Sequence, residues 1–319
     1  MTHHDVVLVG VDGSPASLEA ADWAAGYATA HRRSLHLVCA YSVPSFTAAA
    51  LDGGYAALDD TAIAEGARAV LDEAVARVAV TGVATTSAVA TGDAAAVLVE
   101  LSRGAATVVV GTRGRGGFAE RLLGTVSSAL PAHAHCPTIV VPYRRRANLP
   151  GAEPAGAPGG TPRRPEVHKI VVGVDGSPAA EVALEHAIAE AVAWGAELTA
   201  VAAVPIGTGS SYLAWLPAAV DHETVLHDVA EGLDVVVDRA LAGRELPVRR
   251  HVLDGTGAQL LTEFSSAVDL VVVGSRGRGG FAGLLLGSTS QAVLHHASCP
   301  VMVVTTKARD EEWSPSRDA

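Results

Sequence analysis

Val9-Gly10-Val11-Asp12-Gly13-Ser14-Pro15 closes a short apolar run near the start of the chain, and Val172-Gly173-Val174-Asp175-Gly176-Ser177-Pro178 repeats it 163 residues further on. Gly111-Thr112-Arg113-Gly114-Arg115-Gly116-Gly117-Phe118-Ala119 returns as Gly274-Ser275-Arg276-Gly277-Arg278-Gly279-Gly280-Phe281-Ala282, and Cys136-Pro137 as Cys299-Pro300, at the same displacement. One displacement for three separate markers means a tandem duplication. The division expected is a first domain at 1–147, a Pro/Gly-rich linker at 148–165, a second domain at 166–308 and a polar tail at 309–319.

Each repeat alternates short β-branched runs with longer helical patterns. In the first, the strand candidates are 6–11, 35–41, 87–90, 107–110 and 138–141, apolar enough to be buried on both faces. Ser14 is placed to cap a helix with Pro15 in its first turn, and Leu18, Ala21, Ala25 and Ala28 mark one face of it. Ile63, Ala67, Val70, Leu71, Ala74, Val75 and Val78 mark a second helix. Asp93 caps a third, with Val97, Leu98 and Leu101 turned inward, and 125–133 forms a short fourth. Such alternation implies two tandem α/β sandwiches, each an open five-stranded parallel sheet with helices on both faces.

In an open α/β sheet, ligands sit beyond the carboxyl ends of the strands where the winding reverses. Asp12 and Asp175 end the first strand of each repeat, and the glycine loops follow the fourth. The loops read Gly111-x2-Gly114-x9-Gly124-Thr125 and Gly274-x2-Gly277-x9-Gly287-Ser288. Glycines let main-chain N–H groups approach an anion, and a hydroxyl residue then opens a helix whose N-terminus attracts phosphate. A carboxylate beside such a loop is suited to accept from ribose hydroxyls.

These motifs resemble those of the universal stress protein family, in its tandem ATP-binding form, whose pattern is G-x2-G-x9-G-[S/T] preceded by an aspartate closing the first strand. The resemblance implies a Rossmann-like fold and adenine resting on main chain at Val11 and Ala40, then at Val174 and Ala203. It implies ribose at Asp12 and Asp175. Phosphates would fall to Gly111, Gly114, Gly124, Thr125, Val126 and Ser127, and to Gly274, Gly277, Gly287, Ser288, Thr289 and Ser290. ATP, with Mg²⁺ as a companion, is the cofactor implied, and stress response the biological role.

Other chemistry is weighed against this. A Walker A loop needs a lysine after its glycines, and none follows here, so efficient phosphoryl transfer lacks its usual cation. Gly114-x-Gly116-x-x-Ala119 fits a loose dinucleotide pattern but follows the fourth strand instead of the first. Arg113, Arg115, Arg276 and Arg278 either clamp phosphate tails or acidic partners, or are solvated loop charges. His133-x-His135-Cys136 looks metal-like, yet the second repeat offers His296-x-x-Cys299, which favours packing. Trp23, Trp194 and Trp215 read as helix-face core or interface residues.

Composition bounds the rest. At 49% hydrophobic and 18% charged residues the chain is globular, and each half is long enough for its own apolar core. Lys and Arg number 23 against 34 Asp and Glu, a net charge of −11 that disfavours nucleic acid as a partner. Cys39, Cys136 and Cys299 are odd in number, with no CxxC, which favours a reduced, cytoplasmic chain. Met1-Thr2-His3-His4-Asp5 carries no basic leader. The uncharged stretch 198–220 is broken by Pro205, Gly207, Gly209 and Pro217, so it reads as strand, loop and helix start and not as a membrane span. Two rival functions stay open. One is a nucleotide-dependent hydrolase or transferase using the same crevice. The other is a nucleotide-free scaffold whose exposed edge strands, 139–141 and 301–304, pair between repeats or between chains of a homodimer.

Overall fold

The computed structural model describes residues 5–42, 60–114, 123–143, 165–205, 222–278 and 286–309. The chain divides into two compact units, Met1–Leu130 with Tyr143–Pro165, and Pro131–Pro142 with Glu166–Ala319. All of the expected linker except Pro165, the tail from 310 and Trp215 lie outside the described residues.

The first unit is built from β1 (Val6–Gly10), α1 (Pro15–Ala30), β2 (Ser34–Tyr41), α2 (Asp60–Ala79), β3 (Thr85–Thr91), α3 (Ala94–Leu101), β4 (Thr107–Gly111) and the start of α4 (Thr125–His133). Its strands run in the order β3-β2-β1-β4, all parallel. The winding reverses between β1 and β4, the neighbours that the sequence assigns to the crevice. Both are valine-rich and almost wholly buried, as strands covered on two faces must be.

Helix α1 starts as its sequence dictates. Ser14 is extended, its Oγ accepts the Ser17 N–H at 3.2 Å, and Pro15 opens the first turn. Leu18, Ala21, Ala25 and Ala28 are all buried, and so many alanines let the helix lie close on the strands. On α2, Ala67, Leu71, Ala74 and Val78 are buried while Ile63, Val70 and Val75 are half-buried. Asp93 caps α3 by accepting the Ala96 N–H at 2.9 Å, and Leu98 faces in. Leu101 does not: it is 40% exposed. The position one turn beyond Leu98 that faces inward is i+4, Ser102, which is buried and donates to the Val99 carbonyl as the helix tightens into a 3₁₀ turn over Ser102–Gly104. Pro165, at the end of the linker, packs on α1 where Gly26 leaves no side chain in its way.

The second unit contains β5 (Thr138–Val141), β6 (Lys169–Gly173), α5 (Pro178–Trp194), β7 (Glu197–Val204), α6 (His222–Leu241), β8 (Val248–Asp254), α7 (Gly257–Phe264), β9 (Leu270–Gly274), α8 (Ser288–His296) and β10 (Val301–Val304). Its order is β5-β10-β9-β6-β7-β8, parallel except for β5 against β10. Ser177 caps α5 with Pro178 behind it, and Gly195 ends the helix in the left-handed conformation.

Of the two pairings open to 139–141 and 301–304, the one between repeats is formed, so neither strand stands as an exposed edge. Val301 pairs with Val140, Met302 with Ile139 and Val303 with Thr138, and every one of these is buried. Two apolar strands with open ladders satisfy each other's backbone groups, which neither could do in a dry core alone. The strand of 198–220 is β7, while 206–221 lies outside the described residues. The second unit's outer strand, β8, is guarded by charge, with Arg249 on Glu197 and Arg250 on Asp234 and Asp238. No described helix is long and apolar enough to cross a membrane.

Candidate functional site

The crevice of the first unit is assembled by three turns. Beyond β1, Asp12 Oδ1 accepts the Ser14 N–H at 3.0 Å, and the Asp12 N–H reaches Ser17 Oγ at 3.3 Å. Beyond β4, the Ser14 hydroxyl donates to the Arg113 carbonyl at 3.2 Å, fastening the glycine loop to the aspartate turn. The loop returns to α4 through the Gly124 N–H on the Thr112 carbonyl at 3.0 Å. Gly111 has to be glycine, because a Cβ there would stand 2.5 Å from the Ala16 carbonyl oxygen of α1.

These turns enclose a cavity of about 520 Å³. All nine residues that the sequence nominates in the first repeat line it: Val11, Asp12 and Ala40 from the ends of β1 and β2, Gly111, Gly114 and Gly124 from the loop, and Thr125, Val126 and Ser127 from the first turn of α4. Main-chain N–H groups in a helix's first turn have no intrahelical acceptor, which leaves those of Thr125, Val126 and Ser127 to serve an anion. The Ser127 hydroxyl is otherwise employed. It is buried and donates to the carbonyls of Thr112 and Gly124 at 2.9 and 3.1 Å, so it braces the loop.

Sequence reasoning did not nominate several residues that complete the wall. Val38, Val110 and Leu98 add apolar surface, Ala94 brings the start of α3 and Ser17 adds a hydroxyl, while Arg113, weighed from the sequence as a phosphate clamp or a solvated charge, also lines the cavity. Leu98 also presses on β1, where a Cβ at Gly10 would fall 2.7 Å from its Cδ1. A signal for Ala94 and Leu98 was present: α3 follows β3, so its N-terminus must lie at the same carboxyl end of the sheet as the crevice.

The second unit repeats the arrangement. Asp175 Oδ1 accepts the Ser177 N–H at 3.0 Å, and the Ser177 hydroxyl donates to the Arg276 carbonyl at 3.3 Å. The Gly287 N–H meets the Ser275 carbonyl at 2.8 Å, and α8 starts there with no side-chain cap. Buried Ser290 donates to the Gly274 carbonyl at 2.7 Å, and Gly274 itself abuts the Ala179 backbone of α5. The Val174 N–H donates to the Val201 carbonyl as that of Val11 does to Val38. Ala203, Gly257 and Thr289 converge, a Cβ on Gly257 lying 3.8 and 3.5 Å from the other two side chains. Ser288 opens α8, as Thr125 opens α4, and Gly277 sits beside Asp175.

The tandem organisation and the fold recur in known proteins. The model of the universal stress protein family matches residues 3–142 and again 166–305. Universal stress protein Rv1996 of Mycobacterium tuberculosis is 32% identical over 320 residues, covering 93% of this chain and 94% of that protein. A universal stress protein of Mycolicibacterium smegmatis is 35% identical, covering 93% and 96%. In the solved structures, a universal stress protein from Archaeoglobus fulgidus shares the fold at a TM-score of 0.66 and 20% identity, covering 95% of this chain and 98% of that one. With two family matches in tandem and relatives alike over nearly the whole length, the chain belongs to the universal stress protein family.

Proposed function

We propose that each repeat holds one ATP at the carboxyl ends of its first and fourth strands, and that the chain is a cytoplasmic stress-response protein governed by that nucleotide. The observation that carries this reading is the convergence of all nine first-repeat candidates on one cavity of about 520 Å³, within the roughly 300–1,000 Å³ usual for small-ligand sites. Adenine rests against the apolar wall near Val11 and Ala40, and in the second repeat near Val174 and Ala203. Ribose hydroxyls donate to Asp12 and Asp175. Phosphates, with Mg²⁺ as companion, take the N–H groups of the glycine loops and of the first turns of α4 and α8. Among the described residues Arg113 is the one Lys or Arg that lines the cavity, and neither glycine loop contains a lysine in its sequence, which suits retention of the triphosphate better than its rapid transfer.

The test is unfolding with and without ATP. At about a hundredfold excess over Kd, binding to the folded state alone adds roughly 2.7 kcal/mol per site, with two nucleotides per chain by calorimetry. An unfolding midpoint indifferent to ATP, together with no small molecule released from purified protein in mass spectrometry, defeats the reading. ADP formation that disappears in Asp12→Ala with Asp175→Ala would move it to a hydrolase.

A further inference from the structure

In the second unit both oxygens of the Asp175 carboxylate are engaged by main chain before any ligand is considered. Oδ1 accepts the Ser177 N–H of its own turn, and Oδ2 accepts the Arg278 N–H of the glycine loop, each at 3.0 Å. Between them lies Gly277, where a Cβ would collide outright with Oδ2. The first unit shows the same collision between a Cβ at Gly114 and Asp12 Oδ2. Neither glycine is among the described residues with positive φ, unlike Gly13 and Gly176 in the neighbouring turns. Conformational freedom therefore does not explain them, and the carboxylate does.

The Arg278 side chain strengthens the same junction. Its guanidinium lies across Gly176, with Cζ, Nε and Nη1 at 3.6, 3.8 and 3.8 Å from where a Cβ would stand. The Ser177 hydroxyl adds a third tie, to the Arg276 carbonyl. Turn 175–177 and loop 276–278 are thus joined by a carboxylate, a hydroxyl and a stacked guanidinium.

We propose that Asp175 is a positioning residue for the glycine loop, that Asp12 has the same duty in the first repeat, and that Gly277 and Gly114 are glycines to admit that carboxylate. The proposal rests on the nucleotide reading for its functional consequence, and deepens it. An aspartate that only received ribose would govern only the nucleoside end of the ligand. One that shapes the loop governs the phosphate end as well, because the loop N–H groups point correctly only while the carboxylate holds them.

Hydrogen exchange at the Arg278 amide of the ligand-free full chain tests the latch without any nucleotide. Asp175→Ala and Gly277→Ala should each speed exchange about tenfold or more, the size expected for losing a hydrogen bond to a charged group. Once Asp175 is alanine, Gly277→Ala should add almost nothing, because the clash has gone. Asp175→Asn keeps the shape and one acceptor, and should restore part of the protection; it also serves as the readout if the alanine variant does not fold. Exchange at Arg278 unchanged in Asp175→Ala or Asp175→Asn, or a Gly277→Ala effect of equal size in both backgrounds, overturns the latch.

A second arm separates the two ends of the ligand. In Asp12→Ala with Asp175→Ala, calorimetry with inorganic tripolyphosphate should show affinity reduced about tenfold or more, although this probe has no ribose. Tripolyphosphate affinity equal to that of the unaltered protein overturns the functional half of the proposal. If the unaltered protein binds neither ATP nor tripolyphosphate, the nucleotide reading fails, and the exchange experiment still decides the latch.

Discussion

Gly111 and Gly66 show that the same substitution has opposite consequences at two glycines of one unit. At Gly111 a Cβ would stand 2.5 Å from the Ala16 carbonyl oxygen and 2.7 Å from its carbon, both main-chain atoms of α1 that have nowhere to go. At Gly66, inside α2 and exposed, a Cβ meets nothing within 4 Å. Gly111→Ala should therefore cost about 1–3 kcal/mol through strain and displaced backbone, and should distort the crevice with it. Gly66→Ala should add about 0.4–1 kcal/mol by narrowing the unfolded ensemble and favouring the helix. Denaturant midpoints at constant slope measure both, and two shifts of the same sign would contradict the packing described for β4 against α1.

Between α1 and α2 the first unit carries a nearly buried ion pair. Arg77 donates Nε to Asp22 Oδ1 at 2.7 Å and Nη2 to Oδ2, with the two side chains 15% and 11% exposed. The bond to Asp22 raises the Arg77 pKa further above its ordinary range. Burial pushes the Asp22 carboxyl up, opposed by that same bond. Of the two directions, that of Arg77 is the firmer, since a bidentate guanidinium in this geometry stays charged and keeps its partner ionised. Arg77→Ala leaves a buried carboxylate alone and should cost about 3–5 kcal/mol, whereas Asp22→Leu with Arg77→Met should recover most of that loss. On β2, burial lowers the pKa of His36, whose Nδ1 pairs with Thr86 Oγ1 at 2.8 Å. The unfolded chain then binds a proton more readily than the folded one, so this histidine takes away stability as pH falls below about 6.5 and does nothing above it. The difference in unfolding free energy between wild type and His36→Gln should be flat above that pH and should shift against wild type below it; a difference independent of pH would refute the assignment.

At the scale of the chain, what could be read in advance follows the range of the interaction that decides it. The constant displacement of 163 residues is kept by the starts of β1 and β6, α1 and α5, β4 and β9, and β5 and β10. Ser14, Pro15 and Asp93 mark helix starts because capping is settled within three residues. Leu101 was misjudged because a 3.6 period does not say where a helix tightens and ends. The nine crevice residues of the first unit were readable through spacing and resemblance, while the employment of the Ser127 hydroxyl depended on which loop carbonyls fold back to meet it.

For β5 the sequence offered pairing with 301–304 between repeats or between chains, and no local pattern chose between the two. Its partner β10 follows some 160 residues later, and antiparallel pairing takes this strand of the first repeat into the second compact unit. That assignment makes a prediction about fragments. A chain of residues 131–319 keeps β5 on β10, while one of 166–319 leaves the ladder of Val301–Val304 open beside a fully apolar strand. An open, flat, uncharged edge seeks another. The shorter fragment should unfold at lower denaturant than the longer one and should associate more readily in light scattering behind a sizing column. Equal stability and a monomeric state for both fragments would mean that β5 contributes nothing to the unit in which it lies.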